Sequence, residues 1–144
     1  MTLRPSPRNI KAGYSGTPLV SKLGIKPGSN VLVLDSPDGY RGLLHDLPEH
    51  VRFVSTASRS TDLVHTFCTR NARMAKTLVS LRRKLPPVAV IWVSWPKKSS
   101  RVETDISEDT VRKAALPLGL VDVKVCAIDD VWSGLKLVVR KELR

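Results

Sequence analysis

The run VAVIWVSW (residues 88–95) decides the fold. It is apolar at every position except Ser94, so neither side of it can face water. A strand apolar on both sides belongs in the middle of a parallel sheet whose two faces are covered by helices. Working back from this run, Pro86 and Pro87 close an amphipathic segment over 70–85. There Ala72, Ala75, Leu78, Val79 and Leu81 form the expected inner stripe, with Arg73, Lys76, Arg83 and Lys84 outside it. Before that helix, DLVHTFCT (62–69) reads as a strand, with Thr69 placed to cap the helix. The polar loop ASRSTD (57–62) precedes this strand, and VRFVS (51–55) is another strand.

Further upstream, VLVLD (31–35) repeats the pattern of a doubly buried strand and is followed by SPDGY (36–40) and a short helical stretch from Arg41 to about Leu47. A first short helix is expected between the cap Thr17, with Pro18 in the first turn, and the stop Gly24. Downstream of residue 95, PKKSSR (96–101) is a basic loop. Ser107 caps a helix whose first turn carries Glu108 and Asp109 and which stops near Pro117. Two strands close the chain, VDVKVCAID (121–129) and GLKLVVRK (134–141). The link between them is short, so they pair antiparallel. Val123, Val125 and Ala127 are expected on one face of the first, Lys124 and Cys126 on the other.

Strands and helices in this order give a three-layer, Rossmann-like α/β sheet, mostly parallel, with a C-terminal antiparallel pair. Such a sheet resembles that of S-adenosylmethionine-dependent methyltransferases, shortened by at least one strand–helix unit. Residues 1–12, with two prolines and several bases, read as a flexible tail, and 13–144 as one α/β domain.

The net charge is +11. No acid occurs in the first 34 residues or between Asp62 and Glu103. A basic face is expected from Arg70, Arg73, Lys76, Arg82, Arg83, Lys84 and Arg101. No run is long enough to span a bilayer, and no apolar segment follows the basic N-terminus as in a secretory signal. Cys68 and Cys126 sit in apolar strands and read as buried thiols of a reducing cytoplasm. His45, His50 and His65 are scattered, so no metal site is expected.

Open parallel sheets take ligands beyond the carboxyl ends of their strands. The first such turn reads Asp35-Ser36-Pro37-Asp38-Gly39-Tyr40 rather than a glycine-rich phosphate or methyl-donor loop, and the second strand ends in Ser55 and Thr56 rather than an acid. The candidate ligand edge is therefore Asp35, Gly39, Tyr40, Trp95, Lys97, Lys98, Trp132, Ser133 and Lys136. Trp95 beside two lysines suits an anion or a stacked base, or else plugs the end of the core. Asp129 and Asp130 read as turn-forming acids, GYSGTPL (13–19) as ordinary capping, and His65 as a satisfied core histidine. No catalytic residue is assigned.

The strings GYSGTPLVSKLGIKPG, DLVHTFCTR, WVSWPKK, ALPLGLVDVKVCAIDDVWSGLKLV and VRKELR stand in this order over roughly residues 12–144. They resemble the bacterial family named domain of unknown function 3052. The resemblance implies a compact cytoplasmic bacterial protein and brings no mechanism. Members of that family often have a glycine in the turn after the first strand, where this chain has Asp35-Ser36-Pro37. The expected function is a non-catalytic module that binds a small anionic ligand or a protein partner, with no cofactor expected. A nucleic-acid binder using the basic face and exposed tryptophans is one alternative, and a degenerate methyltransferase is the other.

Overall fold

A computed structural model describes residues 17–144. The expected tail and most of GYSGTPL lie outside these residues. Six strands form one mixed sheet: β1 (Asn30–Leu34), β2 (Arg52–Val54), β3 (Leu63–Phe67), β4 (Val90–Pro96), β5 (Leu120–Ala127) and β6 (Trp132–Val139), in the order β2-β1-β3-β4-β6-β5. The pairs β1·β2, β1·β3 and β3·β4 are parallel, and β4·β6 and β5·β6 antiparallel. The expected α/β sheet with its antiparallel C-terminal pair is the fold observed, with β4 in its interior.

The helices are α1 (Leu19–Leu23), α2 (Asn71–Lys84) and α3 (Glu108–Ala115). Alternation along the strands splits the core in two. Leu32, Val64, Ile91, Val93, Trp95, Leu135 and Leu137 pack under α2 and α3. Val31, Leu63, Phe67, Trp92 and Ile128 pack on the other face with α1, Tyr40 and Leu44.

Local chemistry explains most boundaries. Gly24 ends α1 in the left-handed region (φ 80°), its N–H bonding to Val20 and Ser21 carbonyls. Ser107 caps α3 through a reciprocal box with Thr110. Several expectations are corrected. Pro18, not Thr17, takes the cap position of α1, because its extended ψ keeps it out of the helix. The stretch after Asp35 shortens to one 3-10 turn, Tyr40–Leu43. Arg70 rather than Thr69 precedes α2, and the freed N–H of Asn71 bonds the Asp105 carboxylate at 2.6 Å. The inner stripe of α2 is Met74, Leu78 and Leu81, so Ala72 and Val79 face solvent. On β5 a register shift between Asp122 and Lys124 breaks the simple alternation. Val123 and Val125 are 54% and 52% exposed there.

Candidate functional site

The carboxyl edge of the sheet divides into two ends. At the β1 end the chain turns sharply, with Asp35 in the left-handed region (φ 55°) and Gly39 likewise (φ 83°). The Asp35 carboxylate bonds Arg73 of α2 at 3.3 Å, and the first N–H of α2 is taken by Asp105. The segment between β4 and α3 is tied to the same place by the Thr104 hydroxyl, which donates to the Thr69 carbonyl at 2.7 Å. At this end Arg73 and the Asn71 amide are thus engaged by the protein's own carboxylates.

These residues do not fit a methyl-donor nucleoside. Pro37 offers no N–H, the turn holds the single glycine Gly39, whose positive φ the backbone itself calls for, and β2 leads into the exposed Ser55 and Thr56 with no carboxylate for ribose hydroxyls.

Tyr40, expected on the ligand edge, is instead buried and turns inward. Its hydroxyl lies 2.7 Å from His65 Nδ1, and His65 Nε2 lies 2.7 Å from Ser94 Oγ. The chain of three crosses from the β1 turn over β3 to β4. Phe67 stacks on the imidazole at 4.2 Å and meets Trp132 edge-on at 5.1 Å. Burial pushes the His65 pKa down to about 3 and pushes the Tyr40 phenol up. A neutral imidazole has one donor and one acceptor, and the two hydroxyls supply the complements. This is the satisfied core histidine that the sequence suggested, wholly enclosed, with no room for a substrate beside it.

Trp95 is also corrected. It is 7% exposed and packs under α2 and α3, so it plugs the core rather than offering a platform. Trp92 is fully buried and donates its indole N–H to the Leu23 carbonyl at 3.0 Å. Trp132 alone of the tryptophans is half-buried, so the exposed tryptophans of the nucleic-acid reading are not found. On the basic face, Arg70, Arg73, Lys76, Arg83, Lys84 and Arg101 are exposed. Arg82 is turned aside, its Nε donating to the Leu118 carbonyl at 2.9 Å.

The β4–β6 end differs. Trp132 and Ser133 open β6 opposite Pro96 and Trp95, and the Lys97 amide bonds the Val131 carbonyl at 2.7 Å. This sets Lys97 beside the start of β6, next to Trp132 and Ser133. Lys136 stands directly opposite Lys124 across β5·β6. Lys22 of α1 reaches the same corner, donating to the Ala127 carbonyl at 3.0 Å. Its pKa is lowered, first by burial and then by the nearby Lys124 and Lys97, while Cys126 acts the other way. Sequence reasoning missed Lys22 and Lys124, which come from opposite ends of the chain. Among the described residues no carboxylate lies within 4.0 Å of Lys97, Lys98, Lys124 or Lys136. Asp129 is spent on its turn, accepting from the Val131 and Trp132 amides at 2.9 and 2.8 Å.

Burial pushes both thiols, Cys68 and Cys126, up in pKa, which makes them poor nucleophiles. Among the described residues no group of three or more His, Cys, Asp and Glu could hold a metal, and no helix is long and apolar enough to cross a membrane.

Solved structures resemble this arrangement. An S-adenosylmethionine-dependent methyltransferase from Aquifex aeolicus superposes with TM-score 0.58 at 15% identity, over 84% of this chain and 88% of that one. The fold is that of the Rossmann-like methyltransferases. A candidate type 11 methyltransferase from Sulfolobus solfataricus gives 0.57 at 12% identity, over 85% and 90% of the two chains. The m1A22 tRNA methyltransferase of B. subtilis gives 0.52 at 8%, over 85% and 65%. At such identities the likeness is one of fold alone. No family model matches the chain, and no curated protein does.

Proposed function

We propose that this chain is a non-catalytic binding module on a methyltransferase-like fold, taking a small anionic ligand at the corner formed by Lys22, Lys97, Lys98, Lys124 and Lys136 around Trp132. The observation that carries the reading is that Lys22 of α1 lies within electrostatic reach of Lys97 and Lys124, with Lys136 directly opposite Lys124 across the strands. Like charges placed opposite one another across strands repel, and an anion between them turns that repulsion into attraction. A half-buried indole beside ammonium groups adds an apolar wall for the body of the ligand. The groups that would be apt for acid–base work, His65 and Ser94 on the sheet and Tyr40 in the turn beside it, are enclosed and bonded to one another, which supports binding over catalysis. Membership of the family of domain of unknown function 3052, and with it a bacterial cytoplasmic setting, is part of this proposal and rests on the motifs quoted above. So does the single domain over 13–144.

The second reading is a degenerate S-adenosylmethionine-dependent methyltransferase, favoured by the fold. A thermal-shift series separates the two. Nucleotides and acyl phosphates should raise the melting temperature in a concentration-dependent way, and the rise should vanish in the Lys97→Ala/Lys98→Ala variant. A rise with S-adenosylmethionine or S-adenosylhomocysteine that this variant retains would favour the second reading. A flat response to all of them would overturn the small-anion proposal.

A further inference from the structure

At the edge of the sheet opposite the lysine corner, where β4 and β5 begin and β6 ends, the fold gathers bases that the sequence scatters from Arg59 to Arg144. Arg83 and Lys84 stand exposed in the last turn of α2. Arg59, from the loop before β3, donates from Nη1 to the Leu85 carbonyl at the end of that helix at 3.1 Å. Arg82 donates from Nε to the Leu118 carbonyl at 2.9 Å, and the Arg140 amide donates to the neighbouring Gly119 carbonyl at 2.8 Å. Both α2 and the end of β6 thus reach the start of β5. Arg144 closes the corner, its Nε donating to the Val139 carbonyl at 2.8 Å. Among the described residues no carboxylate lies within 4.0 Å of these six basic side chains.

We infer that this edge binds the sugar–phosphate backbone of double-helical nucleic acid without reading its sequence. A helix C-terminus favours cations beside it, which accounts for Arg83 and Lys84 but not for Arg140 and Arg144, which follow a strand. Arg82 and Arg144 are each held through Nε, which leaves both Nη groups as a fork pointed away from the bonded carbonyl. A guanidinium fixed in this way suits a phosphate and loses little freedom on meeting one. No aromatic side chain belongs to the group, so the bases of a single strand find nothing to stack on. Protein interfaces keep charged residues out of their centres, whereas nucleic-acid interfaces are built from positive charge. The exposed leucines of this region, Leu116 and Leu143, sit on 3-10 turns of three residues, too short for a helix that lies in a bilayer surface. The inference does not rest on the lysine corner, which lies at the other edge of the sheet, so either can fail alone.

The test uses the full chain and two fluorescein-labelled DNA duplexes of equal length and unrelated sequence, followed by anisotropy. At low salt both should bind alike, and the logarithm of affinity should fall linearly with the logarithm of salt concentration. In Arg83→Ala/Lys84→Ala/Arg140→Ala the affinity at low salt should fall at least tenfold. The salt slope should drop by about 2–3, because each phosphate contact contributes about 0.9. A second measurement needs no variant to fold: in nitrogen-15 spectra of the parent chain the duplex should shift the amides of Arg83, Lys84, Arg140 and Lys141. Absence of binding at low salt, an unchanged slope in the triple variant, or shifts confined to other surfaces would each overturn the inference. So would tighter binding of a single strand, of phosphatidylserine vesicles or of a poly-glutamate peptide than of the duplex.

Discussion

The two faces of the sheet are held by different physics. Under α2 and α3 the core is mainly aliphatic, with Leu78, Leu81, Leu135 and Leu137 packed beneath helices of 14 and 8 residues. Under α1 a five-residue helix and a single 3-10 turn must cover the other face. There Tyr40, Phe67 and Trp92 join the aliphatic side chains, and directional bonds fix the packing: Tyr40 to His65 to Ser94, and Trp92 to the Leu23 carbonyl. Long helices hold their face through many weak dispersion contacts. Short ones gain definition from a few buried hydrogen bonds, which are costly to leave unmade.

Acid should separate the two faces most strongly. His65 stays neutral in the fold down to about pH 3, whereas an unfolded histidine takes up a proton near pH 6.5. Between these values the unfolded chain binds more protons. The contribution is therefore whole above about pH 6.5 and is lost progressively as the pH falls toward 3, by on the order of 5 kcal/mol. Denaturant titrations across this range should show the loss in the parent chain. The variant Tyr40→Phe/His65→Leu/Ser94→Ala, with the polar chain replaced throughout, should lose this part of the pH dependence. Leu78→Ala, on the other face, should cost about 2–5 kcal/mol at every pH. An equally steep acid slope in the triple variant would assign the acid sensitivity to other groups.

Tyr40→Phe alone should give a smaller effect and sharpen the contrast. It leaves one nitrogen of a fully buried imidazole without its partner while preserving shape, which costs about 1–3 kcal/mol. The cost should appear in urea midpoints at neutral pH. If Ser94→Ala costs as much and the two together cost less than their sum, the three groups act as one network.

The sheet was legible because VAVIWVSW and VLVLD are apolar on both sides, and α3 because Ser107 announces its start. The same uniform apolarity hid which way each residue of β4 points. Trp92 and Trp95 are three apart and fall on opposite faces, so the run leaves open whether the tryptophan at the strand end is a platform or a plug, and the structure makes it a plug. The Tyr40–His65–Ser94 chain escaped because its members lie 25 and 29 residues apart. A signal for it was present all the same. His65 and Ser94 are lone strong polar groups inside neighbouring buried strands, and buried polar groups require partners. The lysine corner was half legible. Lys97 and Lys98 stand in one loop, but Lys22 and Lys124 join them only through the closure of α1 on the far strands, which no local pattern encodes.

The smallest expected effect on stability falls at that corner, and its smallness is informative. Lys97 is half-buried, Lys98 is exposed, and neither makes an ion pair with a described carboxylate. Replacing both with alanine should therefore move stability by no more than about 0.5 kcal/mol, with any change in the stabilising direction at low salt, because Lys22 and Lys124 lose like-charged neighbours. Melting curves at low and high salt would check this. A gain at low salt that fades as salt rises would mark the corner as carrying repulsion in the absence of an anion, the condition under which an anion binds most strongly. A large loss independent of salt would instead make these lysines part of the scaffold, and the two ends of the sheet edge would then be alike, each closed by the protein's own contacts.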